Sequence, residues 1–277
     1  MTSDEEFFRL PAGGQVVRVN ALRGSDELLL AEATTCDTIL AMKLAERLTC
    51  DVHGARLDWG ALPVTDLDAF IIFLRRRIIG NLIRADVACQ AKDCGQRIDV
   101  VFRLDKFIDY HAPSFQSKSC RGWTVELDHE PGWLRLAPLE ESADAPAKTI
   151  SFRLPTPVDQ IAVNGRPDAE AELARRCLEP LNAPLKSRRK AEAVMEAMAP
   201  CLSCDVTAVC PECETTMMLC FEARRFCLSE LCDRALSIYA DVDVLARAYH
   251  WSESKILSLP RSRRAAYVNL AMQARSN

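Results

Sequence analysis

Cysteine is the residue type whose spacing first suggests chemistry. The chain carries thirteen cysteines, and residues 201–213 read CLSCDVTAVCPEC, two C-x-x-C pairs separated by five residues. Upstream, Cys89 and Cys94 bracket the segment CQAKDC. Four thiolates about 2.3 Å from one ion make a structural zinc site, and C-x-x-C or slightly longer turns at hairpin tips present two sulfurs each. A C-x-x-C pair can instead run thiol–disulfide exchange, which needs a thiol pKa lowered by a setting such as a helix N-terminus. Cys36, Cys50, Cys177, Cys227 and Cys232 fall as singles in apolar helical patterns, where the thiol is a small buried hydrophobe. An odd count without a secretory leader pattern predicts reduced thiols over a disulfide framework.

The elements that must position these cysteines decide which can meet. Apolar residues at three- and four-residue spacing predict helices over TILAMKLAERL, capped by Asp37, and from about Thr65 through DLDAFIIFLRRRIIGNLI. The period then changes: RADVACQAKDCGQRIDVVFRL reads as strand, cysteine turn and strand. The same order returns with helices AEAELARRCL and RRKAEAVMEAMAPCL, then DVTAVCPECETTMMLCFEA as strand, turn and strand. Registration is close. Phe102 and Phe107 follow Cys94 at the spacing with which Phe221 and Phe226 follow Cys213, and Ile98 and Val100 correspond to Met217 and Leu219. We read this as an internal duplication.

If DVTAV is a strand, its six steps place Cys204 about 20 Å from Cys210, so the two C-x-x-C pairs lie at opposite ends of one hairpin. The expected zinc ligands are therefore Cys89 and Cys94 from the first copy with Cys210 and Cys213 from the second. A contiguous site that includes Cys201 and Cys204, or no metal at all, remains the alternative. CPEC lies between strands, which speaks against redox catalysis.

The expected class is α+β: two helix-plus-hairpin halves, 1–140 and 149–230, and a helical unit, 231–277. The acidic stretch Glu140–Lys148 would join the halves. In the tail, a long helix should end near His250, Ser252 should cap a short one, and Pro260 should sit at the start of the last. Tyr249, Trp251, Ile256, Leu257 and Tyr267 are its candidate partner-binding residues, aromatics being favoured at interface centres. The net charge of −4 with mixed signs argues against nucleic acid as a partner. The runs Arg75–Arg77 and Lys186–Lys190 read as solvated helix faces. Asp66 and Asp68 read as stabilising a helix N-terminus. No apolar stretch approaches the roughly 20 residues that cross a bilayer, and the cytoplasm is the expected location. The four histidines lack ligand spacing, and no phosphate loop or nucleophile elbow is present. A non-enzymatic role without a small-molecule substrate is expected; the alternatives are a zinc-ribbon nucleic-acid adaptor or a thiol redox protein.

Several stretches carry a family resemblance. AYHWSESKILSLPRSRRAAYVNL, the hairpin CPECETTMMLCFEARRFCLSEL and the upstream VTDLDAFIIFLRRRIIGNLIRADVACQAKDCGQRIDVVF resemble baseplate hub assembly chaperones of contractile-tailed phages and related injection systems. The resemblance covers about residues 15–110 and 150–272, and the tail phrase is its most specific part. Cys89, Cys94, Cys210, Cys213, His250, Trp251, Leu259 and Pro260 match its motifs. Glu214 departs from them, standing where the family's second knuckle usually continues with glycine. The resemblance implies a role in building a baseplate by binding tail proteins. The metal rests on cysteine spacing alone.

Overall fold

Short strands come first among the described residues. In the computed structural model, which describes residues 6–114, 119–120, 123–130, 132–138, 149–199 and 201–276, β1 (Glu6–Arg9) pairs with β2 (Val16–Val19). Two helices, α1 (Gly24–Ala31) and α2 (Thr38–Leu48), precede β3 (Thr49–Asp51), which pairs antiparallel with β2. Asp37 starts α2 as expected: its carboxylate accepts the Leu40 N–H at 2.9 Å, satisfying a donor the helix leaves free. α3 (Val64–Ile78) buries Leu67, Phe70, Ile71 and Leu74 on the stripe its period predicts. The first hairpin follows, β4 (Leu82–Ala88) and β5 (Arg97–Arg103), then α4 (Leu104–Tyr110).

An antiparallel sheet of order β10-β9-β8-β7-β6 comes next, with β6 (Ser119–Cys120), β7 (Trp123–Leu127), β8 (Leu134–Pro138), β9 (Ile150–Phe152) and β10 (Leu178–Glu179). Helices α5 (Pro157–Val163) and α6 (Ala169–Cys177) lie between β9 and β10. After α7 (Leu185–Met198) the second hairpin forms from β11 (Ser203–Val209) and β12 (Thr216–Glu222). The tail is α8 (Ala223–Ala235), α9 (Ser237–Tyr249), α10 (Glu253–Leu257) and α11 (Arg261–Ser276). The class is α+β with antiparallel pairing in every sheet described. Strand, two helices, strand, helix, hairpin and helix occur in that order twice, from β2 to α4 and from β9 to α8. Small details recur too: Asp26 and Asp159 each accept the backbone N–H three residues earlier, at 3.0 Å in both cases.

The cores do not follow the sequence segments. Leu44, Leu67, Phe70 and Ile71 share one core with Cys227, Leu228 and Leu231 of α8, so α8 packs on α1 and α3 of the first half. The expected 230/231 boundary falls inside α8, and the expected junction Glu140–Lys148 lies outside the described residues. A second core joins Leu136, Ile150, Phe152 and Leu178 to Ala191 and Val194 of α7. The expected long tail helix is two, meeting at Leu236. The joint lets Leu228, Leu231 and Ala235 face the first core while α9 packs on α10 and α11.

Arg75 joins the first hairpin to α8. Its guanidinium binds Glu230 through two bonds, of 2.8 and 3.0 Å, and donates to the carbonyls of Gly80 and Leu82. At 1% exposure it is not on the solvated face expected for the Arg75–Arg77 run. A buried guanidinium needs this full set of acceptors, and a charge run does not reveal them. Asp66 and Asp68 also act over longer range than expected. Asp66 accepts the Ala12 and Gly13 N–H groups at 2.7 and 2.9 Å, and Asp68 pairs with Arg224 at 2.7 Å.

Candidate metal centre

The two hairpins are built alike and face each other. β4 and β5 pair from Leu82↔Arg103 to Ala88↔Arg97, and β11 and β12 from Ser203↔Glu222 to Val209↔Thr216. Alternation along each strand puts Ile83, Ile98, Met217 and Phe221 on buried inner faces. At the root, Phe221 meets Phe102 at 5.0 Å and Phe107 at 5.2 Å, both edge-on. At the tip, Cys89, Ile98, Cys210 and Met217 form a small core of their own, flanked by Val87, Val100, Ala208 and Leu219.

Each cysteine turn closes on a backbone bond. Cys89 N–H donates to the Gln96 carbonyl at 2.7 Å, and Cys210 N–H to that of Thr215 at 3.0 Å. The residue after the second cysteine of each turn is left-handed: Gly95 has φ +61° and Glu214 φ +57°. Glycine takes that conformation freely, whereas a residue with a Cβ is strained there by about 1–2 kcal/mol. Glu214 holds the turn nonetheless.

The turns bring four sulfurs together. Cys89 Sγ lies 3.6 Å from Cys213 Sγ, and Cys94 Sγ lies 3.7 Å from Cys210 Sγ. All four ligand atoms lie within 4.8 Å of one another. A tetrahedral ion with bonds of about 2.3 Å separates its sulfurs by about 3.8 Å, so the spacing fits one ion. Backbone N–H groups two residues on point at three of the sulfurs: Ala91 at Cys89, Gln96 at Cys94 and Thr215 at Cys213. Such donors favour the thiolate form that a metal requires. The Thr215 hydroxyl, 3.3 Å from Cys213 Sγ, and then the Thr215 N–H bring that thiol down to about 6. At Cys94 the Gln96 N–H pulls the same way, but the hydrogen bond with Cys213 and burial outweigh it and raise the thiol. Cys210 is fully buried and Cys213 exposed, so the site has an apolar floor and a solvent side. The four cysteines can hold a metal ion, and the distances and donor set are compatible with zinc.

Cys201 and Cys204 take no part. Cys204 lies opposite Phe221 near the far end of β11, six residues from Cys210 along a strand that rises about 3.3 Å per residue. The contiguous site is thereby excluded. CPEC sits between β11 and β12 and not at a helix N-terminus, so the usual source of a reactive thiolate is missing there.

The tail residues divide. Tyr249, Trp251 and Tyr267 are half-buried and stack together, Tyr249–Trp251 at 5.0 Å and Trp251–Tyr267 at 5.1 Å edge-on. Lys255 Nζ lies 4.8 Å over the Trp251 ring. Leu257 is half-buried against Gly24. Ile256 is fully buried, a correction to its place among the surface anchors: α10 is too short to bury one face without turning Ile256 inward.

Sequence reasoning missed the residues that fasten the tail. Glu27 of α1, fully buried, accepts Arg261 Nη1 at 2.8 Å and a second bond from Arg264, whose Nε also binds Asp241 at 2.9 Å. Each lies on an ordinary charged helix, and only the arrangement of helices pairs them. No helix among the described residues is long and apolar enough to cross a membrane. No protein-family model matches the chain, and no curated protein or solved structure matches it significantly.

Proposed function

We propose that this chain is a non-enzymatic assembly factor or structural component of the baseplate of a contractile phage tail or related injection particle. It is made in the cytoplasm and acts by binding tail or baseplate proteins. In this reading Zn2+ held by Cys89, Cys94, Cys210 and Cys213 is a structural clamp between the hairpins of two duplicated halves. The observation that carries the clamp is the meeting of four sulfurs from two distant turns, Cys89 with Cys213 across 124 residues and Cys94 with Cys210 across 116. A zinc with four protein thiolates has no open position for a substrate, so it holds structure and does not turn over. What the ion supplies is crosslinking, and the chain's own residues do the rest: Ala91, Gln96 and Thr215 N–H groups stabilise the thiolates, and Met217 and Ile98 wall off one side.

The baseplate role is supported by the likeness of the tail phrase and both knuckle segments to baseplate hub assembly chaperones. The half-exposed Tyr249, Trp251 and Tyr267 cluster, together with half-buried Leu257, is the surface we assign to the partner. The test is co-purification of the chain with sheath, tube or hub proteins of its own particle, and particle assembly in its absence. Loss of baseplates on deletion is expected. Intact, firing-competent tails formed without the protein would refute the role.

A further inference from the structure

The pair Cys201 and Cys204, excluded from the tip, meets other ligands at the root of the second hairpin. Cys204 Sγ lies 3.6 Å from His111 Nε2. That is the separation of a sulfur and an imidazole nitrogen on one tetrahedral ion, about 3.6 Å for bonds of about 2.3 and 2.0–2.1 Å. The chain bends at Leu202, between the two cysteines. The Ser203 N–H points at Cys201 Sγ, the same two-residue pattern found at three of the tip cysteines. Glu196, near the end of α7, accepts the Cys201 N–H at 3.4 Å, and its charge acts on both Cys201 and His111. Ser114 N–H donates to the Ala197 carbonyl at 2.9 Å, tying the segment after His111 to the end of α7. Three elements thus converge, bringing one imidazole, two thiols and one carboxylate.

We propose that His111, Cys204 and Cys201, with Glu196 as the closing oxygen ligand, form a second site for a zinc-class transition metal, weaker than the tip. Cys204 and His111 stand in place. Cys201 does not yet reach both, since the tip cysteines alone among the described residues place three or more ligand atoms within 4.8 Å of one another. Cys201 is exposed, so its side chain turns inward on metal binding without disturbing a core. Binding expels the two thiol protons into water as the sulfurs become thiolates, and the need to turn Cys201 inward first makes the site weaker than the preassembled tip. Two cysteines and one histidine around zinc, with a fourth position filled by a carboxylate or water, is a set that protein sites use.

The test is equilibrium titration of Co2+ and then Zn2+ into the metal-free full chain, reading uptake and the cobalt d–d spectrum. The wild type should take up a second equivalent after the tip is filled, with the spectrum of mixed sulfur and nitrogen ligation. Cys201→Ser, an exposed change that spares the fold, and His111→Ala should each abolish that second uptake. Cys89→Ser should keep it while losing the first, so failure here is distinct from failure of the tip clamp. Saturation of the wild type at one equivalent, or a second uptake that persists in Cys201→Ser or in a His111→Ala, Cys204→Ser double variant, overturns the proposal.

Discussion

Replacing Phe221 by alanine should loosen the root of the paired hairpins while leaving the cysteine tip intact. Phe221 is 7% exposed and touches three rings, Phe102, Phe107 and Phe226, at 5.0, 5.2 and 5.5 Å. Truncating a buried phenylalanine costs about 3–5 kcal/mol, depending on how far the site can collapse. Phe102 and Phe226 are only half-buried and can move into the gap, which places the loss near the lower end, about 3 kcal/mol. Phe221→Leu keeps most of the apolar volume and gives up the ring contacts, each worth about 0.5–1.5 kcal/mol and not additive. A loss of about 1.5 kcal/mol is expected for leucine. The assay is urea unfolding of wild type and both variants at matched metal content. Chelating the metal should enlarge the alanine effect, because the tip then no longer holds the hairpins together. An alanine cost below about 1 kcal/mol, or a leucine variant as damaged as the alanine one, would refute a root held by ring packing.

Other outcomes follow from named residues. Glu27→Gln should cost about 1.5–3 kcal/mol in thermal or chemical unfolding and speed amide exchange in α11, because Arg264, at 1% exposure, loses the Glu27 charge and keeps only Asp241. At the knuckles, Gly95→Ala should cost about 1 kcal/mol, whereas Glu214→Gly should be neutral or stabilising by a few tenths, since φ is positive at both positions. Burial raises the Asp66 carboxyl to about 6 from its usual 3.8, despite the N–H groups of Ala12 and Gly13. The folded state therefore binds that proton more tightly than the unfolded one. The Asp66 contribution is greatest below about pH 4, falls as pH rises toward about 6 and then levels off, a change on the order of 3 kcal/mol. Asp66→Asn should remove this slope, read as the difference between wild-type and variant stability from pH 4 to 7, with Asp68 unchanged in both.

The hairpins were legible because alternating apolar residues and paired cysteine turns are local signals. β4, β5, β11 and β12 lie where the period changes, and their ladders set which cysteines can meet. The strand argument separated Cys204 from Cys210, and the repeated hairpin order pointed to Cys89 and Cys94 as partners. The sheet around β9 was not legible. β10 is only Leu178–Glu179 and β9 only Ile150–Phe152, too short for alternation to register. The joint at Leu236 carries no glycine or proline to announce it, and the burial of α8 against α3 depends on contacts far apart in sequence. Arg75 was expected on a solvated face, and Glu27 and Arg264 were missed, for the same reason: their burial depends on helices that only the assembled fold brings together.

The central claim is a single ion clamped between two halves of the chain. It is tested most directly by measuring tightly bound metal per chain after dialysis against a weak chelator, in wild type, Cys89→Ser and Cys201→Ser. The account predicts about one equivalent of zinc in wild type and in Cys201→Ser, and none in Cys89→Ser. Zinc kept by Cys89→Ser and lost by Cys201→Ser, or no retained metal in any of the three, would contradict it.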